Sequence, residues 1–215
     1  MSSKNIRDYK HIIWDWNGTL LDDAWLCLQT INRLLEARHL PPLSSERYAS
    51  IFDFPVINYY RQAGFDFSNE PFEVVSTAFV KGYEAQRAEC QLREGARSVL
   101  KRIQELGISQ SILSASQQNS LETVVDNMDL SSFFVTLVGI GNHHAAGKLD
   151  AGQAWLNKVD LAPSDMVLIG DTTHDYEVGN ALGVDCWLIP SGHQSRERLA
   201  TCNTVLIDHL LDMLS

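Results

Sequence analysis

His11-Ile12-Ile13-Trp14-Asp15-Trp16-Asn17-Gly18-Thr19-Leu20 is a short apolar run closed by an aspartate and then by a turn. It is too short and too continuously apolar for an amphipathic helix, so it predicts a strand buried on both faces. Similar runs recur at 111–114, 134–139, 166–170 and 186–190. Between them the apolar spacing is helical, over 96–106, 120–128, 151–159 and 175–182, with Gly107 and Gly183 placed as helix stops. Strand and helix alternating in this way predict right-handed βαβ units, hence an α/β fold with a doubly wound, Rossmann-like parallel sheet.

The alternation fails between the first strand and residue 92. There Leu26, Ile31, Leu34 and Leu35, then Val75, Phe79 and Tyr83, follow helical spacing, interrupted by Pro41-Pro42 and Pro55. The expected organisation is a core of residues 1–21 and 92–215 with an α-helical cap over 22–91. Open α/β sheets bind ligands beyond the carboxyl ends of their strands, where such an insertion can form a roof.

Three polar segments fall at those strand ends: Asp15-Trp16-Asn17-Gly18-Thr19, Ser114-Ala115-Ser116 and Gly170-Asp171-Thr172-Thr173-His174-Asp175. Carboxylates from separate strands meeting at one point repel unless a cation lies between them, and hard oxygen donors suit Mg²⁺. The formal net charge of the 215 residues is −10, which disfavours nucleic acid and anionic membranes as partners. No apolar run approaches the roughly 20 residues that cross a bilayer. The amino terminus has no cleavable leader pattern, and Cys27, Cys90, Cys186 and Cys202 lack metal-binding spacing. A cytoplasmic protein with reduced thiols, monomeric or homodimeric, is expected.

In motif order the chain resembles the haloacid dehalogenase superfamily, in its phosphoglycolate-phosphatase-like branch with a helical cap after the first motif. The family's DxDGT fits 15–19, its strand ending in Ser or Thr fits Ile112-Leu113-Ser114, its isolated lysine fits Lys148, and its GDxxxD fits Gly170, Asp171 and Asp175. The resemblance implies that Asp15 is a nucleophile that becomes an aspartyl-phosphate on a small phosphorylated metabolite. It implies Mg²⁺ held by Asp15, the main-chain carbonyl of Asn17 and Asp171, with Asp175 supporting the metal directly or through water. Gly18, Thr19, Ser114, Ala115 and Lys148 are then the phosphate-binding set.

Asn17 departs from the pattern, standing where the family has its general acid and base. An amide hydrogen-bonds but cannot transfer the proton. Three readings follow: a hydrolase for good leaving groups such as acyl or aryl phosphates, or with a proton donor on the cap; a phospho-ligand binding or regulatory protein; and a phosphonate hydrolase using a cap lysine, of which Lys81 is the only one. Arg47 and Arg61 are the cap cations considered for an acidic substrate, although arginines on a helical surface are usually solvated. His174 is a candidate to orient a ligand or water, whereas the adjacent pair His143-His144 points in divergent directions and makes a poor metal site.

Overall fold

The computed structural model describes residues 5–141 and 147–214. The strands are β1 (His11–Trp14), β2 (Leu21–Asp22), β3 (Gln91–Leu92), β4 (Ser109–Gln117), β5 (Thr136–Ile140), β6 (Met166–Gly170), β7 (Asp185–Leu188) and β8 (Val205–Leu206). The α-helices are α1 (Ala24–Glu36), α2 (Ser45–Ile51), α3 (Val56–Ala63), α4 (Phe72–Glu84), α5 (Ala96–Glu105), α6 (Gln118–Asn127), α7 (Gly147–Leu156), α8 (Thr173–Leu182) and α9 (Arg196–Leu199).

Six strands form a parallel sheet in the order β5-β4-β1-β6-β7-β8. Strand period explains why their sequences are apolar throughout. In β1, Ile12 and Trp14 join the core on one face while Ile13 joins the core on the other; in β6, Val167 and Ile169 oppose Met166 and Leu168 in the same way. Residues of α5 and α6 complete the first cluster, and residues of α7, α8 and α9 the second, so the sheet is covered on both faces as expected. The chain runs outward from β1 to β4 and β5, then crosses back to β6. The switch between those directions lies beside β1, where a crevice opens at the carboxyl ends of β1 and β6.

Helices α1 to α4 lie between β2 and β3 in sequence and have an apolar cluster of their own, built on Ile31, Leu35, Tyr48, Tyr59, Tyr60 and Val75. The entry and exit of this segment pair with each other: Leu21 faces Leu92 and Asp22 faces Gln91 in a two-residue antiparallel ladder. Two boundaries differ from the sequence reading. Helix α7 starts at Gly147 rather than 151, which puts Lys148 in a helical first turn instead of a surface-like loop. Strand β4 runs on through Ser114, Ala115 and Ser116, resuming its pairing at Gln117 with Ile140 after an irregularity. Among the described residues, no helix is long and apolar enough to cross a membrane. The four cysteines are buried and form no disulfide.

Candidate active site

Strand β1 ends with the Asp15 amide donating to the carbonyl of Ile169 at 2.8 Å, so Asp15 leaves the sheet against the end of β6, where Asp171 follows. Both carboxylates are buried, at 6% and 1% exposure. Burial pushes the Asp15 carboxyl well above the usual range; Lys148 opposes the shift, and the charges of Asp175 and Asp171 add to it. Asp171 is also raised by burial, against the pull of His193.

Lys148 joins the loops. Its ammonium lies 2.6 Å from Asp15 Oδ1 and 2.6 Å from Asp175 Oδ1, with only 2% of its side chain exposed. Burial opposes its charge, but the two carboxylates outweigh that and raise its pKa. A cation in a helical first turn meets an unfavourable helix dipole. Paired carboxylates at that point explain how it is tolerated.

Asp175 is fixed by its own helix. Thr172 caps α8 and accepts from the Asp175 amide, while Asp175 Oδ2 accepts from the Thr172 amide at 3.0 Å and its hydroxyl at 2.6 Å, a reciprocal capping box. Burial alone would raise this carboxyl, but Lys148 and the Thr172 hydroxyl hold it below the usual range. Thr19, fully buried, has its hydroxyl 3.1 Å from Asp15 Oδ2 and 3.2 Å from Asp171 Oδ1. Gly18 has φ +75°, and a Cβ there would overlap the Asp171 carboxylate. Ser114 and Ala115 line the same chamber.

Ligand oxygens of Asp15, Asp171 and Asp175 all lie within 4.8 Å of one another. Three buried carboxylates converge there, and the carboxyls of Asp15 and Asp171 are raised by burial, with their mutual repulsion and that of Asp175 adding to it. An all-oxygen donor set with surplus negative charge fits Mg²⁺. Asp175 already takes Lys148 on one oxygen and the capping donors on the other, which suits a supporting role.

Asn17 sits in a network that the sequence did not disclose. Its Nδ2 donates to Asp23 Oδ2 at 2.7 Å and to the Tyr83 hydroxyl at 2.9 Å, and its Oδ1 accepts from Ser116 at 2.7 Å. Asp23 is fully buried and also accepts from the Gly18 amide and the Tyr83 hydroxyl, with His193 Nε2 at 3.5 Å. Burial would raise the Asp23 carboxyl, but His193, Tyr83 and Asn17 lower it. His193 hydrogen-bonds through Nδ1 with the Tyr48 hydroxyl at 2.8 Å, and its amide donates to Asp171 Oδ2 at 2.5 Å. Asp23 occupies the N-cap position of α1, yet its side chain makes no capping bond there. His193 follows a strand end, and the carboxyl-edge rule applied to the segment after β7 would have found it.

Arg47 and Arg61 are exposed and do not line the chamber; Arg61 lies over the Phe67 ring instead. Lys81 is exposed and also absent from the lining, which removes the support for a cap-lysine phosphonate route. His174 does line it, with its ring 5.0 Å from that of Phe54. His143 and His144 lie outside the described residues.

The family pattern described as haloacid dehalogenase-like hydrolase matches residues 12–189. A phosphoglycolate phosphatase of Synechococcus elongatus is 24% identical, with 94% of each chain covered. In structure, a haloacid dehalogenase-like family protein of Streptococcus pneumoniae superposes with a TM-score of 0.82 at 18% identity, covering 96% of this chain and 97% of that one. Protein tyrosine kinase A of Mycobacterium tuberculosis superposes with a TM-score of 0.79 at 19% identity, covering 96% of each.

Proposed function

The chain belongs to the haloacid dehalogenase-like hydrolase family, and from that premise we propose that it is a Mg²⁺-dependent phosphatase, phosphoglycolate-phosphatase-like in its use of a small phosphorylated metabolite. The observation that carries this reading is the Asp15 carboxylate at the end of β1, ion-paired at 2.6 Å to a buried lysine and set beside Asp171. An oxygen of Asp15 attacks phosphorus, and the ester P–O bond breaks with its electron pair leaving on the alcohol oxygen. Water then attacks the aspartyl-phosphate, releasing phosphate and regenerating the carboxylate.

Like charges oppose the first step. Lys148 sits against the attacking group, the Ser114 hydroxyl and the Gly18 turn receive phosphate oxygens, and Thr19 orients both aspartates. Mg²⁺ held by Asp15, Asp171 and the Asn17 carbonyl, with Asp175 behind them, would neutralise the charge that develops on the phosphoryl group. Asn17 cannot protonate the departing oxygen, and a proton relay is typically worth about 10²–10⁴-fold.

A second reading, a phospho-ligand binding or regulatory protein, draws on that same amide, whose hydrogen bonds hold it in place as a structural group. The two separate in one assay. Wild type with Mg²⁺ should release phosphate from acetyl phosphate or p-nitrophenyl phosphate, and Asp15→Ala should reduce release to background. Background across a broad phosphate-ester panel, with a phospho-ligand still raising the melting temperature, selects the binding reading.

A further inference from the structure

The chamber that begins at Asp15 continues toward α3 and α4, where Phe52, Phe54, Val56, Tyr60, Phe79 and Val80 give it an apolar wall beside the more polar Tyr83, Glu84 and Arg87. Its volume is about 220 Å³. An apolar cavity of about 150 Å³ takes up benzene, so one ring and a phosphoryl group fit. Such a wall gives no counter-charge to a leaving group that carries a carboxylate.

Among the described residues, Lys148 and Arg87 are the lysine and arginine side chains in the lining. Lys148 is engaged by Asp15 and Asp175 at the phosphate end. Arg87 is ion-paired with Glu84 at 3.0 Å and hydrogen-bonded to Ser120. Each is already balanced by a carboxylate of the protein.

A second, independent observation concerns the departing oxygen. The side chains around the family's acid position are already committed: Asn17 is an amide, Asp23 accepts from Asn17, the Gly18 amide, Tyr83 and Cys27 and faces His193, and both His193 nitrogens face partners. An alkoxide leaving without a proton is a poor group, since its conjugate acid has a pKa near that of water, about 15.7. A phenolate is far better, with a phenol pKa of about 10.

Apolar wall and absent acid select the same chemistry, and the geometry points to a monoaryl phosphate as the substrate class, with the phenol ring against Phe52, Phe54 and Phe79. This assignment rests on the phosphatase reading. In the first step the Asp15–phosphorus bond forms as the aryl P–O bond breaks; the phenolate keeps the electron pair and takes its proton from solvent water.

The test uses wild-type protein with Mg²⁺. Expected is a kcat/KM for phenyl phosphate at least about ten-fold above that for 2-phosphoglycolate. Thermal-shift titrations, which do not depend on leaving-group chemistry, should show phenylphosphonate binding at least about ten-fold tighter than methylphosphonate. Equal or reversed order in either measurement overturns the assignment. Hydrolysis of acetyl phosphate alongside inert phenyl phosphate overturns the aryl class and leaves the hydrolase standing. No release from phenyl phosphate, 2-phosphoglycolate or acetyl phosphate overturns the hydrolase reading and the aryl assignment with it.

Discussion

Asn17 places amide hydrogens where an aspartate would place lone pairs, against the Asp23 carboxylate 2.7 Å away and the Tyr83 hydroxyl. Asn17→Asp therefore sets a half-buried carboxylate against the buried one of Asp23. The expected cost is of the order of 1–3 kcal/mol, read as a lowered urea midpoint, because the donor to buried Asp23 is lost and like charges are brought together. Adding Asp23→Asn should recover most of it, since the carboxylate and amide then exchange places. A neutral effect of the single substitution would show that Asp23 is not the charge that Asn17 answers. The double variant carries a carboxyl at position 17 without the repulsion. It is the form expected to gain turnover on alkyl phosphates.

At the scale of elements, β1 carries a pH dependence separate from the strand-end carboxylates. His11, 1% exposed, bonds Ser109 through Nδ1 while its Nε2 has no partner, and burial pushes its pKa from 6.5 down to about 4. The unfolded chain thus binds a proton that the folded chain refuses. Stability from this group is full above about pH 6.5 and falls as pH drops toward 4, by a total of order 3 kcal/mol at about 1.36 kcal/mol per unit. Parallel denaturation series should show His11→Gln losing less stability than wild type across that interval; identical slopes would remove His11 as the cause. The strands themselves were legible because β1 and β6 are apolar on both faces. The start of α7 was not, since Gly147 and Lys148 carry no apolar periodicity and the pull on Lys148 comes from Asp15 and Asp175, distant in sequence. The polar end of β4 read as a loop for a similar reason: its pairing to β5 resumes only at Gln117. Asp15, Lys148, Asp171 and Asp175 were singled out from motif order and converge in the fold, whereas Asp23 gives no sequence signal beyond its place before a helix and His193 could have been suspected only from its place after a strand end.

For the whole molecule, the roof over the chamber is held at one side by main-chain atoms of residues 49–52. The Ser195 amide donates to the Ala49 carbonyl at 3.1 Å; Gln194 Nε2 and Arg198 donate to the Phe52 carbonyl at 2.9 and 2.6 Å; and Arg198 lies 3.3 Å from Asp53. Removing Arg198 takes away one bond to that carbonyl and an ion pair. With Arg198→Ala, amides of residues 49–54 should exchange about ten-fold faster with solvent deuterium while those of β1 and β6 keep their protection. Uniform acceleration throughout the chain would mean that the arginine supports global stability instead. Opposite this latch lies the Leu21–Leu92 and Asp22–Gln91 ladder, where the chain leaves the sheet and returns. Paired strands lie roughly 4.8 Å apart, so the sheet meets almost the same two anchor points whatever is threaded between them. A change in the length or composition of the intervening helices can therefore reshape the roof without moving the ends of β1 and β6, provided that Asp23 and Tyr83 keep their bonds to Asn17.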